Sequence, residues 1–86
     1  MIEIEFDSER IVGYGDKLQI YVMSRKWDGK EWDSKTLFCY ELIVSDFEVA
    51  NPEKMLKKFS DFLATTSKDI KHNMKQFISD DEEWSK

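Results

Sequence analysis

The side chains most often recruited for chemistry are few in this chain and poorly placed. Histidine and cysteine occur once each, as His72 and Cys39. His72 stands in a lysine-rich segment, and a metal site would need further Cys or His ligands that the chain lacks. It reads as a solvated surface residue. Cys39 lies in the middle of the most apolar run, where a thiol packs as a small hydrophobe rather than ionising to a nucleophile. The carboxylates Asp80, Asp81, Glu82 and Glu83 lack the alternating oxygen spacing of a calcium loop. No glycine-rich phosphate loop and no nucleophile elbow occurs. The sequence predicts a non-catalytic protein, with no cofactor and no metal.

Three constellations fit binding instead. Glu3, Glu5, Asp7 and Glu9 alternate with apolar residues, so a regular strand projects them from one face about 6.6 Å apart. Such a row either solvates an outer face and discourages edge pairing, or docks on a basic cleft. Trp27 and Trp32 flank a hairpin tip, with Tyr21 and Tyr14 near the same outer face, and exposed tryptophan and tyrosine mark interfaces. Their alternative role is packing on the helix end or on Trp84. The third set is Lys54, Lys57, Lys58, Lys68, Lys71 and Lys75. As a nucleic-acid strip it lacks arginine and interleaved aromatics, and lysines at helical spacing commonly solvate an outer face.

The elements that position these residues are organised around Thr36 to Val44. Its apolar residues fall on both parities, Phe38, Tyr40, Leu42 and Val44 against Leu37, Cys39 and Ile43. That pattern predicts a central strand covered at least partly on both sides. Residues 2–12 form a half-buried strand, Ile2, Ile4 and Phe6 inward and the acids outward. Gly13 to Asp16 is a turn, and Lys17 to Trp27 a second strand. Asp28-Gly29 marks a hairpin. A three-residue loop, Trp27 to Gly29, pairs Ile20 with Thr36, Leu18 with Phe38 and Arg25 with Glu31. It gathers Leu18, Ile20, Val22, Phe38, Tyr40, Leu42 and Val44 on one face, which favours it over the two-residue loop.

Asn51-Pro52-Glu53 starts a helix, with Asn as cap, Pro at the first position and an acid in the first turn. Met55, Leu56, Phe59, Phe62 and Leu63 follow at helical spacing, and the phase continues through Thr66, Ile70, Met74 and Phe77. One long or kinked helix and two helices broken at Thr66 both fit. Four acids near the helix end predict fraying over residues 80–86. The expected fold is α+β, a three-stranded antiparallel meander of order 1-2-3 packed on C-terminal helix. Residues 1–79 form one domain and 80–86 an acidic tail. The expected core includes Phe38, Tyr40, Leu42, Leu18, Ile20, Ile4, Leu56, Phe59, Leu63 and Ile70.

The totals set the functional frame. The chain has 86 residues, is 41% hydrophobic and carries net charge −5. A single cysteine excludes an internal disulfide, and neither a signal segment nor a run long enough to span a membrane is seen. These features predict a soluble cytoplasmic protein without membrane contact. Charge is uneven: residues 1–50 hold eleven acids and six bases, residues 51–79 three acids and six lysines. An acidic sheet argues against nucleic acid as the partner. The expectation is a small acidic inhibitor or regulator of a nucleic-acid-handling protein, of the kind phages and mobile elements encode. Its partner would be a protein with a basic surface. The alternatives are nucleic-acid binding through the helix lysines and a structural homo-oligomeric subunit. A single helical layer leaves Leu37, Cys39, Ile43, Tyr21 and Met23 on an uncovered face, which predicts a homodimer.

Overall fold

The computed structural model describes residues 1–85. Three antiparallel strands, β1 (Ile2–Ile11), β2 (Gly15–Trp27) and β3 (Trp32–Ser45), form one sheet in the order β1-β2-β3. A single turn, α1 (Asp46–Val49), leads into one unbroken 34-residue helix, α2 (Pro52–Ser85). At about 1.5 Å per residue α2 is long enough to run the length of the sheet. Across its Cα atoms the molecule measures 46 × 29 × 14 Å.

Sheet alternation places Ile4, Phe6, Leu18, Ile20, Val22, Phe38, Tyr40, Leu42 and Val44 on the helix side, as the apolar pattern predicts. A helix is about 10–12 Å wide and strands lie about 4.8 Å apart, so one helix covers mainly the middle strand. Burial follows that geometry. Ile20, Val22 and Ser24 on β2 are 4%, 0% and 0% exposed, whereas Ile4 and Phe6 on β1 reach 42% and 70%, and Phe38 on β3 49%. Val44 and Phe77 complete the deep core. Of the expected core, Ile4, Phe38 and Leu56 are therefore corrections: Ile4 and Phe38 lie on sheet flanks that a single helix leaves bare, and Leu56 lies on the solvent side of α2, 70% exposed.

The hairpin register differs from the expected one. Trp27 pairs with Trp32, Ile20 with Tyr40 and Leu18 with Leu42, around a four-residue loop. The Asp28 carboxylate accepts the N–H groups of Lys30 and Glu31, both at 2.8 Å, and Gly29 takes φ 101°, a left-handed conformation that glycine allows without strain. The even loop alone would invert the faces. A bulge opposite Val22 and Met23, with Leu37 as the extra residue, restores them. The same bulge brings Leu37 to a depression lined by Asp80, Glu83 and Trp84, away from the uncovered face where it was expected.

β3 is an edge strand rather than the central one. Its dense apolar pattern arises because its helix side meets α2 while its outer side keeps Cys39 and Ile43, half-buried and exposed respectively. At its end the pair Ser45 and Glu48 forms a capping box, with the Glu48 N–H bonded to the Ser45 hydroxyl at 3.2 Å. Asn51 then caps α2, its side-chain oxygen accepting the Lys54 N–H at 3.3 Å. Thr66, the residue at which a second helix could have begun, is 3% exposed inside the continuous helix, where its small side chain lies against the sheet. Helical structure persists through Ser85, past the expected fraying point. Contacts at that end explain it: buried Ser24 donates its hydroxyl to Asp81, and Lys26 lies 4.6 Å from the Trp84 ring centre.

Candidate functional site

The four acids of β1 stand in one row on the face opposite α2, in register with the central strand. Glu3 faces Met23, Glu5 faces Tyr21, Asp7 faces Gln19 and Glu9 faces Lys17. The ends of the row are neutralised from within. Arg25 reaches Glu3 at 2.6 Å, and Lys17 reaches Glu9 at 3.2 Å. Each partnership raises the pKa of its cation, through the hydrogen bond first. Glu5 and Asp7 between them form no salt bridge among the described residues. The free part of the row is thus a pair of neighbouring carboxylates in its middle.

The aromatic residues share this face. Trp27 and Trp32 pack edge to face at the hairpin tip, ring centres 5.7 Å apart, and remain 55% and 49% exposed. The Arg25 guanidinium lies 5.6 Å from the Trp32 ring centre, linking the tip to the acidic row. The two tryptophans pair with each other, and Trp84 instead meets Lys26 on the helix side. Tyr21 is half-buried in the middle of the face, opposite Cys39. Tyr14 sits in the first turn, 52% exposed. Among the described residues no secondary-structure element covers this side of the sheet, and Ile43 is 46% exposed on it.

The lysines divide. Lys58 ties α2 to α1, its ammonium 2.8 Å from the Glu48 carboxylate, which falls to about 2 through that contact and the Ser45 N–H. Lys54 lies 4.7 Å from the Phe47 ring centre. Lys57, Lys68, Lys71 and Lys75 are exposed along α2, on the side of the molecule away from the acids.

Nucleophile chemistry is not assembled. Cys39 is on the outer sheet face, and burial pushes its thiol pKa up. His72 is exposed on α2, beside Lys68 and Lys71. Among the described residues no group of three His, Cys, Asp or Glu could hold a metal, and no helix is long and apolar enough to cross a membrane.

Sequence reasoning missed two parts of this surroundings. The bidentate pair of Arg10 and Asp46, at 2.5 and 2.8 Å, fastens the end of β1 to α1. The signal for α1 was the Ser45-x-x-Glu48 spacing, but nothing local points from Arg10 to a residue 36 positions away. Also missed was a groove of about 340 Å³ between β1 and α2, lined by Phe6, Leu18, Ile20, Phe59 and Phe62. Comparison with protein-family models, with curated proteins and with solved structures finds no match to this chain.

Proposed function

We propose that this protein is a non-catalytic interaction module that docks on a basic surface of another protein, as a small acidic regulator or inhibitor of a nucleic-acid-handling protein. The observation that carries the reading is the free carboxylate pair Glu5 and Asp7 on the outer sheet face, whose hairpin end, beyond Glu3 and Arg25, carries exposed Trp27 and Trp32. Surface area supports it. The chain exposes 6298 Å², against about 5,400 Å² for a compact monomer of this mass. The excess is of the order of one partner's share of a standard interface, about 800 Å².

A mobile-element or phage origin and a cytoplasmic setting belong to this proposal. The test compares affinity capture from the native host by wild type and by Glu5→Lys with Asp7→Lys. The same partner should be retained by wild type and lost by the variant. Wild-type protein that retards DNA at moderate salt, with the retardation lost in Lys57→Glu with Lys71→Glu, favours the helix lysines and defeats the reading.

Self-association is the second reading, and the observation behind it is the outer face itself. Tyr21, Met23 and Cys39 are half-buried there beside exposed Ile43, without a covering layer. Light scattering near 10 kDa at high concentration removes it.

A further inference from the structure

The sheet has two edges, and they differ. Along β3 the bulge at Leu37 interrupts the strand, and Lys35 to Leu37 share a depression with Asp80, Glu83 and Trp84 of α2. Along β1 the pairing is regular for ten residues. Its hydrogen-bond phase can be read from its start, where Met1 and Arg25 exchange both backbone bonds, at 2.8 and 3.0 Å. Antiparallel ladders alternate, so Ile4, Phe6 and Ser8 turn their N–H and C=O groups away from β2. The Ser8 N–H agrees: it donates to the Asp7 carboxylate at 2.8 Å.

This open edge has a different chemistry on each side. Toward the helix stand Ile4 and Phe6, 42% and 70% exposed, and Phe6 lines the groove that contains Phe59 and Phe62. On the outer side stand Glu5 and Asp7, which form no salt bridge among the described residues.

We propose that β1 accepts an extended segment of a partner protein as a fourth strand, one that alternates apolar with basic residues. The proposal rests on the interaction reading above and specifies its geometry. Backbone groups of the added strand bond Ile4 and Phe6, and take over the Ser8 N–H that the Asp7 carboxylate holds in the free chain. Its apolar side chains pack over Phe6 toward the groove, and its lysines or arginines meet Glu5 and Asp7. A second copy of this chain is a poor occupant. Antiparallel pairing of two β1 strands about Phe6 sets Glu5 against Asp7 and Glu3 against Glu9. Pairing about Glu5 sets Glu3 against Asp7 and Glu5 against itself. Like charges directly opposed destabilise a pair, so the row that repels a copy attracts a basic strand.

The test titrates the full chain with a synthetic peptide alternating valine and lysine, and with a valine–glutamate control, following backbone amides by NMR. The valine–lysine peptide should bind about tenfold or more tightly than the control, and slow exchange at the Ile4, Phe6 and Ser8 amides. Ser8→Pro removes an outward donor that an edge strand can spare, and should weaken binding by about tenfold or more while circular dichroism is unchanged. Should Ser8→Pro unfold the chain, N-methylation of the peptide on its edge-facing residues removes the same bonds and should have the same effect. Binding that survives both blocks but is lost in Glu5→Lys with Asp7→Lys overturns strand addition and leaves the acidic docking reading standing. Protection that appears along β3 instead also overturns it. A valine–lysine peptide that binds no better than the control defeats both.

Discussion

Glu3 and Arg25 meet across the outer sheet face at 2.6 Å, and their contact divides the acidic row into a neutralised end and a free middle. The four carboxylates are therefore not equivalent. Reversing Glu5 should slow association with a basic partner sharply, because Glu5 forms no salt bridge among the described residues. Glu3→Gln should change the rate less, since its charge is already compensated by Arg25. Stopped-flow association at low and high salt compares the two variants.

Burial rather than hydropathy ranks the apolar residues. Phe77 is 4% exposed and Leu56 70%. Phe77→Ala should cost about 3–5 kcal/mol in urea denaturation, most of the stability of a domain this size. Leu56→Ala should stay within about 0.5 kcal/mol.

Gly15 is buried where β2 begins, and a Cβ built there would lie 1.9 Å from the Val44 carbonyl oxygen. That oxygen is backbone and part of the edge of the core, so the strands must separate to admit it. Gly15→Ala should cost about 1–3 kcal/mol, seen as a lower urea midpoint.

Acid stability should depend on the α1 junction. Lys58 and the Ser45 N–H lower Glu48 from 4.5 to about 2, and Arg10 lowers Asp46. A carboxylate depressed in the folded state contributes stability above its unfolded pKa and loses it as pH falls through the folded one. Wild type should thus lose stability progressively as pH drops from 4.5 toward 2. Glu48→Gln should be less stable at neutral pH and show a flatter profile over that window, measured by thermal melts at stepped pH.

How much of this was legible in the sequence follows from the range of the interactions. Alternation along residues 2–11 and 17–27 reads out strand and face together, because each side chain's direction is set by its own backbone. The acidic row was found for that reason. Asn51-Pro52-Glu53 likewise announces α2 locally. The hairpin register was misread because it depends on two features at once, a four-residue loop and a compensating bulge at Leu37. Thr66 and residues 80–85 look like helix breaks or frayed ends only until their tertiary partners are known. Thr66 is buried against the sheet, and Asp81 and Trp84 meet Ser24 and Lys26. The expectation that β3 is central failed because a dense apolar strand can also arise where one face meets a helix and the other keeps half-buried Cys39 beside exposed Ile43.

The most direct measurement is capture of host proteins by wild type and by Glu5→Lys with Asp7→Lys, at low and at high salt. Wild type should retain a protein partner with a basic surface, high salt should weaken the capture, and the variant should lose it while its fold is unchanged. A partner retained equally by both proteins, or retained through nucleic acid, would contradict it.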